Sequence, residues 1–341
     1  MKQVRLYIIM LAVVVLPHTM KAQRGGDALY MLLHLTQSSK VASLGGNQVG
    51  LPASDLSMLL HNPGLLDSAF SKQVSLSYVP YLADISYGYG GGALHFSKVG
   101  TFALGFSHIG YGEMTAADES GVITGTFTAG ETMIQASYSR MLYGRIRAGI
   151  SVKPVISRIE SYDSWGIAGD MGVFYTDSSG LFTAGLVLRN FGRQITSYGQ
   201  AEVESLPADL QAGLSFKPAH APFRISLTAQ DLLSGSLDYE LNDDEGSDIR
   251  RDYDKASDLE KVLRHFTLGL EFMPSQNFYV AGGVNPRRRI DMKTQSKAST
   301  VGYTWGFGFR VYKFHFSYAS GRYHLAGTSN HFTISTNLSS F

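Results

Sequence analysis

Between residues 232 and 262 the chain gathers the side chains best suited to ionic chemistry. Asp238, Glu240, Asp243, Asp244, Glu245 and Asp248 cluster just before Arg250 and Arg251. Carboxylates this dense can hold a divalent cation or dock a partner. Their spacing does not follow the ligand pattern of a calcium loop, so partner contact is expected and metal is not. The stretch 284–300 carries the opposite charge in Arg287, Arg288, Arg289, Lys293 and Lys297. Guanidinium groups grip phosphates and carboxylates through paired hydrogen bonds. Lipopolysaccharide phosphates, an acidic partner or the acidic stretch of the same chain would each satisfy them. Catalytic chemistry finds no footing. No Gly-x-Ser-x-Gly elbow occurs, no two histidines stand at metal-ligand spacing, and the "GYGGG" at 88–92 lacks the Lys-Ser/Thr and helix of a phosphate loop. We therefore expect neither an enzyme nor a cofactor.

The elements that must position these charges are strands. In "YTWGFGFRV" the residues Tyr303, Trp305, Phe307, Phe309 and Val311 share one face, and Thr304, Gly306, Gly308 and Arg310 the other. In "LQAGLSFK" Leu210, Ala212, Leu214 and Phe216 oppose Gln211, Gly213, Ser215 and Lys217. Such period-2 alternation marks half-buried strands. A sandwich needs large apolar residues on its inner face. Here the second face mixes glycine, serine and long charged residues, Lys153, Asp170, Arg189, Arg224 and Glu271 among them, as the inside of a transmembrane barrel does. Counting alternating runs predicts fourteen strands: 73–79, 85–97, 101–109, 131–142, 145–157, 168–176, 180–189, 208–217, 222–231, 263–272, 277–283, 301–309, 312–319 and 329–341. Tight turns are expected at 98–100, 143–144, 177–179, 218–221, 273–276 and 310–311. Longer connections near 110–130, 158–167, 190–207, 232–262, 284–300 and 320–328 alternate with them. An even strand number with short periplasmic turns and long outer loops is the pattern of bacterial outer-membrane barrels. The fold class expected is thus all-β, a 14-stranded antiparallel transmembrane β-barrel with an N-terminal plug segment.

The remaining features fit an exported protein. Lys2 and Arg5 precede an apolar run from Leu6 to Leu16, and Ala22 follows, so residues 1–22 read as a secretory signal peptide. The net charge of +1 gives no basic excess for nucleic acid. With Cys 0, disulfides and thiolate metal sites are excluded. The expected organisation is a leader over 1–22, a plug or periplasmic segment over 23–71 and the barrel over 72–341, placed in the bacterial outer membrane against its lipid.

The plug segment contains "ASLGGNQVGLPASDLSMLLHNPGLL", residues 42–66. "PASDLSMLL" reads as a short helix with Asp55 in its first turn, and "HNPG" as a turn. The motif formed by Leu44, Gly45, Gly46 and Asn47, then a short helix, then Asn62, Pro63 and Gly64 resembles the N-terminal signature of the PorV/PorQ family, which is related to FadL-like fourteen-stranded barrels. "SLSYVPYLADISYGYGGGALHF" (75–96), "GTFALGFSHIGYGEMTAADESGVITGTFTAGE" (100–131) and "LPADLQAGLSFKPAHAPFRISLTAQDL" (206–232) resemble its PorQ branch. The chain has Asn-Pro-Gly where related barrels often carry Asn-Pro-Ala. The resemblance implies a component of the type IX secretion system of Bacteroidetes. It implies an anchor for a PorZ-like surface protein in the attachment complex, alongside the PorU/PorV sortase complex. The alternative it carries is a FadL-like transporter of hydrophobic small molecules, with an apolar pocket lined by Leu32, Leu33, Leu35 and Leu51.

The chain closes on "HFTISTNLSSF". The apolar phase of this last strand is Phe332, Ile334 and Leu338, and Phe341 falls out of it. A bulge near 339–340 or a Phe341 off the lipid face is expected.

Overall fold

The structure, a computed structural model, describes residues 29–199, 202–233, 257–292, 300–324 and 327–340. The leader expected over 1–22 lies outside these residues, as do Asp243, Asp244, Glu245, Asp248, Arg250, Arg251 and Phe341. Fourteen antiparallel strands form one closed barrel. They are β1 (Gln73–Pro80), β2 (Ser86–Phe96), β3 (Gly100–Ala117), β4 (Ile123–Tyr143), β5 (Ile146–Ile159), β6 (Tyr162–Thr176) and β7 (Phe182–Thr196), followed by β8 (Asp209–Phe216), β9 (Phe223–Ala229), β10 (Phe266–Ser275), β11 (Phe278–Val284), β12 (Tyr303–Val311), β13 (Phe314–His324) and β14 (Gly327–Asn337). Each strand pairs with its sequence neighbours, and β1 closes on β14 through pairs such as Leu76 with Ile334 and Ser77 with Thr333. Closure leaves no unpaired edge, which is what allows strands to cross hydrocarbon.

The burial pattern is inside out relative to a soluble protein. Leu76, Leu104, Phe106, Ile150, Leu214 and Trp305 point outward and are exposed. At the alternate positions of the strands, Ser75, Ser107, Gln135, Ser151, Gln211 and Glu271 point inward and are buried. An outer apolar wall around a polar inner face is the arrangement a bilayer selects.

Several expected boundaries shift, each for a physical reason. The loop expected over 110–130 is mostly a continuation of β3 and β4, closed at Asp118–Val122, with register shifts between Gly110 and Glu113 and between Ala116 and Ala117. Both faces of this hairpin are largely exposed, so nothing in it needs to alternate and the periodicity is silent. The connection expected at 158–167 is a tight hairpin turn at Glu160, whose φ is +54°. The turn expected at 310–311 lies two residues later, at Tyr312 with φ +54°. The helix expected from "PASDLSMLL" is a 3-10 turn, Leu56–Leu60, and Asp55 is its N-cap, accepting from the Ser57 backbone N–H at 3.0 Å. Before β10 a short helix, α2 (Asp258–Leu263), is closed by a capping box between Ser257 and Glu260. At the C-terminus β14 stops at Asn337 and residues Leu338–Ser340 form a 3-10 turn. The alternating phase that excludes Phe341 therefore ends before it.

Candidate functional site

Residues 30–66 lie inside the barrel. They are almost entirely buried, and they touch strands around the whole circumference, on the face opposite the outward apolar wall. Their backbone is mostly non-helical: one helix, α1 (Ser39–Ser43), and several 3-10 turns. Irregular backbone at membrane depth is tolerated only where protein satisfies its polar groups. Here the wall does so with its inward side chains. Thr183 Oγ1 donates to the Gly50 carbonyl at 2.7 Å, Thr304 Oγ1 to the Ser43 carbonyl at 3.0 Å and Tyr87 Oη to the Thr36 carbonyl at 3.2 Å. The Leu56 N–H donates to Ser75 Oγ at 3.1 Å and the Ser39 N–H to Thr333 Oγ1 at 3.2 Å. The serines and threonines that alternate with apolar residues along each strand are thus the segment's hydrogen-bond partners.

The motif residues at 44–47 and 62–64 make the closest approaches. Gly45 (φ +97°) and Gly46 (φ +88°) turn the chain left-handed after α1, a conformation costly for any residue with a Cβ. The Gly45 N–H donates to Thr304 Oγ1 at 2.9 Å, and its carbonyl accepts from Asn285 Nδ2 at 3.3 Å. Leu44 is fully buried against Gly269 and Gly283. Asn47 donates to Gln230 at 2.9 Å and contacts His61 Nδ1 at 3.2 Å. Asn62 donates to the Val49 and Val173 carbonyls at 3.0 and 3.2 Å and accepts from the Gly64 N–H at 2.8 Å. The Pro63 carbonyl lies against Gly149. Inward glycines on β5, β7, β8 and β11 are the counterpart of this motif. A Cβ at Gly149, Gly185, Gly213 or Gly283 would collide with the segment's backbone. The signal for them was present, since each alternates in phase with the polar face, and an inward strand glycine marks close approach of another chain.

Two buried ion pairs brace the lumen. Lys153 of β5 meets Asp170 of β6 at 2.7 Å and donates to Asn190 Oδ1 at 2.6 Å, while the Asn190 N–H donates to Asp170 at 2.9 Å. Lys40 of α1 pairs with Glu271 of β10, lies 3.4 Å from the centre of the Tyr279 ring, and shares Glu271 with Arg224 at 3.8 Å. The positive lumen charges thus meet acidic or carbonyl partners: Arg147 reaches the Leu65 carbonyl and Asp67, each at 3.3 Å. Near the loop end Glu131 of β4 accepts from the Met31 and Leu32 N–H groups at 3.1 and 2.8 Å and from Tyr111 Oη at 2.8 Å. These bonds fill the open donors at the start of the Met31–Leu33 turn. Glu131→Ala is expected to cost about 1–3 kcal/mol, as buried donors lose a charged acceptor. Faster amide exchange at residues 31–34, with the strand cores unchanged, would show it.

The triple arginine does not form one patch. It sits on α3 (Pro286–Asp291), capped by Asn285, which accepts from the Arg288 N–H at 3.2 Å. Arg287 donates to Asp231 at 2.6 Å and lies 3.6 Å from Asp291, which Arg264 also approaches at 3.6 Å. Partial burial raises the Asp291 carboxyl above the usual range, and Arg264 and Arg287 pull it back. Arg288 lies 4.0 Å from the Tyr323 ring centre and Arg289 4.8 Å from that of Tyr303. Arg287 is therefore held by acids of its own chain, one of them at the foot of the 232–262 stretch.

No family model matches the chain, and no curated protein matches it. Solved structures do. The Pseudomonas putida toluene transporter TodX aligns over 86% of this chain and 95% of its own, with TM-score 0.51 and 10% identity. A TodX deltaS2S3 mutant, described as a monoaromatic hydrocarbon channel, aligns over 89% and 99% with TM-score 0.55 and 10% identity. A Pseudomonas aeruginosa FadL homologue aligns over 89% and 98% with TM-score 0.49 and 10% identity. The chain has the closed fourteen-stranded barrel fold that TodX has.

Proposed function

We propose that this protein is a non-catalytic outer-membrane barrel that anchors a surface protein. On the PorQ-like motifs, that partner is a PorZ-like subunit of the type IX attachment complex. The observation that carries the reading is the filled lumen. Segment 30–66 is hydrogen-bonded to the wall on every side and braced by Lys40–Glu271, so the segment acts as a plug and the barrel as a stand. On this reading the outer loops form the docking face, and the acidic stretch at 238–248 is the part of it that meets the partner. Arg250 and Arg251 follow that stretch in the chain, and lipopolysaccharide phosphates are the second candidate ligand, for the basic stretch 284–300.

A second reading is transport of hydrophobic small molecules, and the fold comparisons support it more directly than they support the first. It requires segment 30–66 to leave its position, breaking the Asn62 and Lys40 contacts. Affinity purification of the tagged protein from its native host in mild detergent distinguishes the two. We expect a large surface-exposed protein carrying a type IX C-terminal domain to copurify. Purification alone, with hydrocarbon or long-chain lipid inside the barrel, would instead establish the transporter.

A further inference from the structure

The outer wall carries a trough that neither reading uses. On β2 the outward positions Gly88, Gly90 and Gly92 have no side chains, while Tyr87 and Tyr89 point inward and are buried. At the level of Gly92 the ladder aligns Val74 of β1, Leu104 of β3, Ala136 of β4 and Val152 of β5. Gly92 and Ala136 leave recesses in this row on either side of the outward Leu104. The next row toward the periplasmic turns is bulky: Leu94, Phe102, Tyr138 and Ile150 stand in register. The Phe102 ring lies 4.9 Å from that of Tyr138 and 5.9 Å from that of Phe96. The result is an open cavity of about 690 Å³ with an almost wholly apolar lining, with Lys72 and Leu338 at its β1 end.

We propose that this trough holds one phospholipid of the periplasmic leaflet, its acyl chain lying across Gly92 and Ala136 and its phosphate on Lys72. The wall faces hydrocarbon, so the occupant comes from the bilayer. From β1 to β5 the trough crosses four strand spacings of about 4.8 Å, roughly 19 Å, which suits an extended acyl chain. Strands of such barrels tilt by about 35–45°, so a trough running across them slopes through the leaflet rather than lying flat in it. Lys72 supplies the charge complement. It is exposed and forms no ion pair with a described residue. Its backbone is fixed at φ +61° by bonds from its N–H to the Ala93 carbonyl at 2.8 Å and from the Leu338 N–H to its own carbonyl at 2.9 Å. The site is thus a fixed cation at the foot of an apolar channel. The trough is independent of whether the barrel anchors or transports.

The test is native mass spectrometry of the full-length protein after prolonged detergent exchange, with phosphatidylglycerol then added back. The wild type is expected to retain one phospholipid and to rebind one. Gly92→Leu should abolish both; the space there is open, the nearest atom to a new Cβ being the Gln73 carbonyl oxygen at 3.7 Å. Ala136→Leu fills the same row from β4 and serves if the first variant fails to fold. Lys72→Gln should weaken rebinding about fivefold, the effect of one cation near an anionic surface. Equal retention by the wild type and a folded filled variant overturns the proposal. So does a wild type that retains only detergent or lipopolysaccharide.

Discussion

Asp170→Ala is expected to destabilise the barrel by about 3 kcal/mol, lowering the folded-to-unfolded ratio more than a hundredfold. Lys153 is among the largest fully buried side chains of the molecule. Its ammonium has two oxygen partners, Asp170 at 2.7 Å and Asn190 at 2.6 Å. Removing the carboxylate leaves a buried cation with only a neutral acceptor, and it strips the Asn190 N–H of its partner as well. Breaking a buried pair from one side is the costly case; replacing both members by apolar groups of similar size is often neutral. Lys153→Met combined with Asp170→Leu should therefore recover much of the loss. Urea unfolding of the vesicle-inserted protein reads both. If the single variant matches the wild type in midpoint, the Lys153–Asp170 pair does not brace the lumen.

Gly185→Ala is expected to have an effect out of proportion to one methyl group. A Cβ on Gly185 would collide with the Val49 carbonyl oxygen and stand 3.0 Å from Asn62 Nδ2. Overpacking in a close-packed interior costs about 1–3 kcal/mol. The upper end applies because the obstacle is backbone held by Asn62 and cannot rotate away. The segment must shift, and the shift is measurable. The chain contains no cysteine, so Ser57→Cys, a position buried within the lumen, gives one label site. Maleimide should reach it slowly in the parent and much faster with Gly185→Ala. Gly92→Ala is the control, facing open space on the outer wall. Equal labelling in all three would mean the segment does not rest on the inward glycines.

The strand count and order were legible because hydrocarbon outside and polar groups inside impose period 2 on every membrane-crossing residue. The register of Phe307, Phe309, Thr304 and Gly306 could be written down from the sequence alone. The same signal vanishes where both faces meet water, so the outer part of the β3–β4 hairpin, 110–130, reads as a loop in the sequence. Charge was legible as composition and misleading as placement. Arg287, Arg288 and Arg289 look like one basic patch in the chain. A short helix turns them three ways: onto Asp231, over Tyr323 and over Tyr303. No local pattern encodes which acid stands across a barrel mouth.

By itself, then, the sequence determined an all-β barrel of fourteen strands, which residues face out and which face in, and a distinct apolar segment before the first strand. These are properties of one strand against its solvent, and neighbours in the chain suffice to state them. Tertiary structure decided the rest: that Lys40 meets Glu271, that Asn62 bridges Val49 and Val173, and that the glycines of four strands receive the backbone of residues 45–63. Apart from the Asn62–Val49 bond, those contacts join residues far apart in the chain. They exist only because closing β1 on β14 brings every inward face onto the same narrow axis.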